Sequence, residues 1–256
     1  MPYSLYVPEG YDKKKKYPLV VTLHGLWSNH WQMIRYPGLT KLAQKHGYLV
    51  VSPMGYNSSG WYGSRGQISR FNNPKNLGEL SEQDVMNVLG IIREEFNVDD
   101  NRIYLMGHSM GGRVIQWIAI DHPECVASLI LSGSGPGTSY DGQFYERGVP
   151  FETLVELMEK GFERYMRDHV ASDFMFPPDF VRDHPEVIKR FEESSMNYPT
   201  PLRPYLRHVI ARQEHETRNQ LHKIDCPTLV ICGGGDRREG GTGNHMRSSQ
   251  ALAEGI

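Results

Sequence analysis

The feature that most constrains this chain is the run Ile103-Tyr104-Leu105-Met106-Gly107-His108-Ser109-Met110-Gly111-Gly112. An apolar strand pattern passes through Gly-x-Ser-x-Gly directly into a helical pattern. A chain that turns so sharply from strand to helix has no room for side chains on either side of the bend. Gly107 and Gly111 remove the Cβ atoms that would collide there. The turn lifts the Ser109 hydroxyl above the end of a sheet. The helix that follows aims its N-terminal N–H groups and positive dipole end at that oxygen. A base and a substrate carbonyl can both reach a serine so placed, and Ser109 is the candidate nucleophile.

Strands and helices alternate on both sides of this run. Ser4 to Pro8 reads as a short alternating strand. Pro18 to Gly25 and Tyr48 to Pro53 are continuous apolar runs, the pattern of strands buried on both faces. Leu39, Leu42 and Ala43 mark a helical face that ends at Gly47. Ser81 is placed to cap a helix carrying Val85, Leu89, Ile92 and Phe96. Val114, Ile118 and Ala119 share one side of the helix after Ser109, and Val126 to Leu131 is the next strand. This alternation predicts a mainly parallel sheet with helices on both faces and chemistry at the carboxyl ends of the strands.

From about 138 to 222 the rhythm changes. Leu154, Met158, Phe162 and Tyr165 recur at helical spacing, Pro185 to Ile188 opens another helix, and Leu206, Val209 and Ile210 mark a third. No buried strand is expected here, and the segment reads as a helical cap. The sheet resumes at Pro227 to Cys232, followed by Gly233-Gly234-Gly235-Asp236 and a helix over Met246 to Glu254. The expected organisation is a core in two parts, 1–137 and 223–256, interrupted by the cap at 138–222.

The chain has 256 residues, enough for one large domain or a core with an insertion. A net charge of −2 without a long basic face disfavours nucleic acid and anionic membranes as partners. No apolar run is long enough to span a bilayer, and Met1-Pro2-Tyr3 opens directly into strand-like sequence. The expected location is therefore cytoplasmic, or secreted if the start has been trimmed. Three cysteines, Cys125, Cys226 and Cys232, are too few and too scattered for a disulfide framework or a zinc site. Cys232 is expected as a small buried hydrophobe. Nothing in the sequence calls for a metal or a cofactor.

Leu23-His24-Gly25-Leu26-Trp27, Gly107 to Gly112 and Pro227 to Asp236 together resemble the α/β-hydrolase superfamily, over nearly the whole chain. The resemblance implies the order nucleophile, acid, histidine. Asp236 is then the acid, Asp141 the second candidate, and Asp225 lies at the wrong end of its strand. Backbone N–H groups of Met110 and Leu26 would form the oxyanion hole. Trp27, Trp61, Tyr62 and His108 are the expected substrate-lining residues, with His24 fixing the loop after its strand.

After Asp236 the one histidine is His245, at the start of a helix and not after a further strand. The expectation is that a last strand and the true base lie beyond residue 256, with His245 the candidate from within. His122, His169, His184, His208, His215 and His222 read as surface or helix-end residues. The first hundred residues resemble polyester depolymerases and feruloyl esterases. From Gly111 onward the chain is similar to capped cytosolic hydrolases of lactones and small esters, so a fusion of two lineages is one reading.

The implied activity is hydrolysis of a small or aromatic carboxylic ester through an acyl-enzyme. A non-catalytic relative that binds a small apolar ligand, and an amidase or aminopeptidase, are the alternatives.

Overall fold

The computed structural model describes residues 2–25, 28–54, 77–137, 139–140, 143–144, 176–197, 215–233 and 245–256, with the single positions 159, 161 and 164. Its centre is a six-stranded sheet built from β1 (Tyr3–Tyr6), β2 (Tyr17–Leu23), β3 (Leu49–Pro53), β4 (Val98–His108), β5 (Ser128–Ser132) and a strand near the end of the chain, Thr228–Ile231. The spatial order is β1-β3-β2-β4-β5 and then Thr228–Ile231. All neighbours run parallel except β1, which pairs antiparallel with β3.

Period-two alternation assigns each face of the sheet its helices. Leu19, Val21 and Leu23 of β2 face the same way as Ile103 and Leu105 of β4. There they meet Val85, Val88, Leu89 and Ile92 of α3 (Leu77–Glu95) and Val114, Ile115 and Ile118 of α4 (Met110–Asp121). Val20 and Val50 face the other way, against Ile34, Leu39 and Ala43, the last two on α2 (Leu39–His46). α1 (His30–Met33) precedes α2 on this side and is capped by the Asn29 side chain accepting from Gln32 N. Helices on both faces explain why β3 is buried along its whole length.

Two local expectations are corrected. α3 begins at Leu77, so Ser81 lies inside the helix and does not cap it. Leu42 is 57% exposed. In a helix of only eight residues, Leu39 and Ala43 fill the narrow packed stripe, and Leu42 points aside. Two short antiparallel strands, β6 (Ser139–Tyr140) and β7 (Gln143–Phe144), stand inside the segment read as a helical cap without a buried strand. The sequence between them, Asp141-Gly142, is a dipeptide favoured in two-residue hairpins.

Helices do follow in that segment: α5 (Pro178–Asp183) and α6 (Pro185–Asn197). Phe176 stacks on Phe180 at 5.7 Å and meets Phe191 edge-on at 5.4 Å, so this pair carries its own aromatic cluster. The helical spacing over 154–165 and around 206–210 falls outside the described residues.

The last strand of the sheet is β8 (Thr228–Ile231), where the sheet was expected to resume. Its sequence is apolar, yet Leu229 and Ile231 are 54% and 45% exposed. Among the described residues β8 pairs on one side only, with β5. Cys232 follows the strand and is half-buried. A helix, α7 (His245–Gly255), comes after it and buries Ala251 and Leu252.

Candidate functional site

The strand order changes direction at β2: β3 lies on one side of it and β4 on the other. In a parallel sheet the chains leaving the two strands at such a point diverge and leave a crevice at their carboxyl ends. Leu23 pairs with Gly107 at this level, so the crevice is bounded by Gly25 after β2 and Ser109 after β4.

Ser109 stands between β4 and α4 with φ 53° and ψ −113°. It is the one described non-glycine residue with positive φ. That conformation costs free energy and persists only where the surroundings enforce it, a pattern that marks functional turns. Here the enforcement is visible. Ser109 N donates to Ser132 O of β5 at 2.8 Å, and Gly112 N donates to Ser109 O at 3.1 Å. Ser134 Oγ also donates to Ser109 O, at 2.9 Å.

The glycines act as expected. A Cβ on Gly107 would lie 2.5 Å from Gly112 Cα, and one on Gly111 would run into the Leu23 carbonyl. The helix therefore lies directly on its own strand and on β2. Met110, its first residue, is buried.

On the β2 side, His24 is fully buried and its Nδ1 donates to Gly25 O at 2.9 Å. Burial pushes its pKa down to about 4, with smaller contributions from His30 and His108, so the ring is neutral at ordinary pH. Held this way it ties the end of β2 to the loop that follows. Ser28 N donates to the same carbonyl at 3.3 Å. A Cβ on Gly25 would fall 3.1 Å from Ser109 Cβ, so the loop backbone stands against the Ser109 side chain.

α7 is tied to the same turn. Ser249 Oγ donates to Ser134 O at 3.3 Å, and Ser134 in turn holds Ser109. Position 245 lies one turn before Ser249 on the same helix face. Asp225 precedes β8 and is exposed, at the amino end as expected. Leu26, Trp27, Trp61, Tyr62, Asp141 and Asp236 lie outside the described residues, as does the His245 side chain. His108 is described and half-buried, beside Tyr36.

One histidine is corrected. His215 was expected at the surface but is 4% exposed. Trp117 Nε1 donates to its Nδ1 at 3.3 Å, and burial, then the charge of Arg113, lowers its pKa well below the usual value. Next to it Thr217 Oγ1 donates to Gln116 Oε1 at 2.5 Å, while Gln116 Nε2 donates to Gly135 O at 3.2 Å. Gln116 thus joins the chain leaving β5 to the chain returning at 215–217. Each of these bonds links residues distant in sequence, so no local pattern announces them. Tyr36, treated below, escaped for the same reason.

Among the described residues no three His, Cys, Asp or Glu side chains converge to hold a metal, and no helix is long and apolar enough to cross a membrane.

The family described as serine aminopeptidase, S33 (Hydrolase_4) matches residues 14–245, across both sides of the strand-to-helix elbow at Gly107–Gly111. The chain belongs to this α/β-hydrolase family. The enol-lactonase from Burkholderia xenovorans LB400 superposes with a TM-score of 0.69 at 17% identity, covering 99% of this chain and 84% of that one. At that identity it shows the fold.

Among curated relatives, the putative carbamate hydrolase RutD of Serratia proteamaculans is 26% identical over 152 residues, 59% of this chain and 54% of the relative. A probable dipeptidyl-peptidase 5 of Emericella nidulans is 34% identical over 116 residues, 43% of this chain and 15% of the relative. The S33-family chain therefore spans about half the length of the first relative and far less of the second.

Proposed function

We propose that this α/β hydrolase cleaves a carboxylic ester of a small or aromatic substrate through an acyl-enzyme on Ser109. The observation that carries the reading is the backbone of Ser109, held at positive φ in the crevice between β2 and β4. Ser109 Oγ attacks the ester carbonyl while a histidine takes its proton, and the same histidine returns that proton to the leaving alcohol. A water molecule then repeats the attack and releases the acid.

The tetrahedral oxyanion needs two converging N–H donors. Met110 N–H, at the start of α4, supplies one. Leu26 N–H supplies the second. Asp236 orients the histidine. His245 is the base to test first, because its helix is tied to the elbow through Ser249 and Ser134. Trp27, Trp61, Tyr62 and His108 line the substrate side.

The deciding experiment assays p-nitrophenyl butyrate hydrolysis by the parent chain, Ser109→Ala and His245→Ala. Loss of turnover in both variants assigns both roles. Loss in Ser109→Ala alone places the base on another histidine. A parent chain that hydrolyses nothing, yet binds a small apolar ester as tightly as Ser109→Ala, overturns the catalytic reading in favour of a binding protein.

A peptidase reading draws on the family description and the dipeptidyl-peptidase likeness. Faster turnover of aminoacyl p-nitroanilides than of the ester would favour it.

A further inference from the structure

Tyr36 lies between α1 and α2, on the sheet face that carries Val20 and Val50. Its backbone is pinned on both sides: its N–H donates to Met33 O at 3.1 Å and its carbonyl accepts from Leu39 N at 3.0 Å. Its hydroxyl reaches across to His108 Nδ1 at 2.8 Å, and the two rings meet edge to face with centroids 5.9 Å apart.

Burial pushes the phenol up to about 12, so it keeps its proton. A phenol is a good donor and a neutral imidazole nitrogen a good acceptor. Among the described residues, Nδ1 is the one partner of this hydroxyl. The O–H therefore donates to Nδ1, and the ring's own proton sits on Nε2.

The position of the ring gives this bond its reach. A Cβ on Gly25 would lie 3.3 Å from His108 Nδ1 and 3.2 Å from His108 O. A Cβ on Gly133 would lie 3.7 Å from His108 Cδ2 and 3.8 Å from Nε2. The imidazole is thus a wedge between the loop after β2 and the end of β5, the two segments that flank Ser109.

We propose that Tyr36 is a positioning residue for Ser109: its hydroxyl holds the His108 ring, as a single tautomer, between Gly25 and Gly133, and so fixes how far the β2 loop stands from the nucleophile. The inference rests on the hydrolytic reading above. Oxyanion donors act over a few tenths of an ångström, so a loosened wedge penalises the transition state more than the bound ester.

The test is Tyr36→Phe, read by the imidazole nitrogen NMR spectrum and by p-nitrophenyl butyrate kinetics. The parent is expected to show His108 as the Nε2-protonated tautomer, and Y36F a mixture. In Y36F, kcat should fall about tenfold while KM stays within about twofold, as for an interaction made in the transition state. A lost thermal midpoint with kcat unchanged would reduce Tyr36 to a packing residue and overturn the proposal.

His108→Asn against His108→Ala gives a second measurement, since the Asn Oδ1 can still accept from the phenol. H108N should keep several-fold more kcat than H108A, and equal values overturn the proposal. If the parent turns over no ester, the hydrolytic reading has failed and the spectrum alone decides. An Nδ1-protonated ring, or a spectrum that Y36F leaves unchanged, then overturns the inference; a single Nε2-protonated form lost in Y36F supports it.

Discussion

Gly25 leaves no room for a side chain beside Ser109: a Cβ on the glycine would lie 3.1 Å from the serine's own. Two strand ends far apart in the sequence meet here with no side chain between them, and the loop after β2 and the Ser109 turn become one object.

Ser109→Ala should remove ester turnover by a factor of about ten thousand or more, as for nucleophile deletions in serine hydrolases. The thermal midpoint should hold within a few degrees, because Ser109 N and O keep their bonds to Ser132, Gly112 and Ser134. A loss of activity that tracks unfolding would contradict this.

Gly111→Ala puts a methyl group against the Leu23 carbonyl, backbone that has nowhere to move. Overpacking of this kind costs about 3 kcal/mol. At this chain length that lowers the thermal midpoint by roughly 6–12 °C, and calorimetry or a dye-based melt reads it directly.

The neutral His24 makes stability depend on pH. Its pKa is about 4 when folded against 6.5 as the model value, so between these limits the unfolded chain binds more protons. Stability is full above about pH 6.5 and falls as pH drops toward 4. The contribution is about 3 kcal/mol at 1.36 kcal/mol per unit. Urea midpoints across this range should slope downward toward acid. His24→Asn should reduce the slope and leave the part due to His215, whose shift has the same sign.

Gln116→Leu removes the Oε1 acceptor of the Thr217 hydroxyl, which keeps only Pro136 O at 3.0 Å, and takes the Nε2 donor away from Gly112 O and Gly135 O in a buried place. A loss of about 2–3 kcal/mol is expected. Thr217→Val should be costly alone yet add little on top of Gln116→Leu, so a double-mutant cycle should show coupling above about 1 kcal/mol. Additive losses would dissolve the node.

What was legible in the sequence follows from how locally it is written. The elbow was readable because strand pattern, glycines and helix pattern occupy ten consecutive residues, and each glycine answers a clash within that stretch. The buried runs of β2 and β3 were readable because a strand covered on both faces is apolar throughout. β8 is apolar too, yet exposes Leu229 and Ile231 at every second position, because composition does not say whether both faces of a strand are covered. His215 and Tyr36 owe their roles to Trp117 and His108, partners no window around them contains. Of the residues expected to carry the chemistry, Ser109 and Met110 stand at the turn; Asp236 and Leu26 lie outside the described residues.

The pairing of Leu23 with Gly107 gives the site a property of its own. Because the serine's surroundings are assembled from β2 and β4, a slip of one residue between these strands would carry the Gly25 loop about 3.3 Å along the sheet and turn its side chains to the opposite face. On the proposed acyl-enzyme reading, a nascent or misfolded chain carries an ordinary, inert alcohol, and reactivity arrives only with correct strand alignment. Refolding followed by an acylating reagent would see Ser109 switch on as the sheet locks, making the nucleophile a timer for the fold that built it.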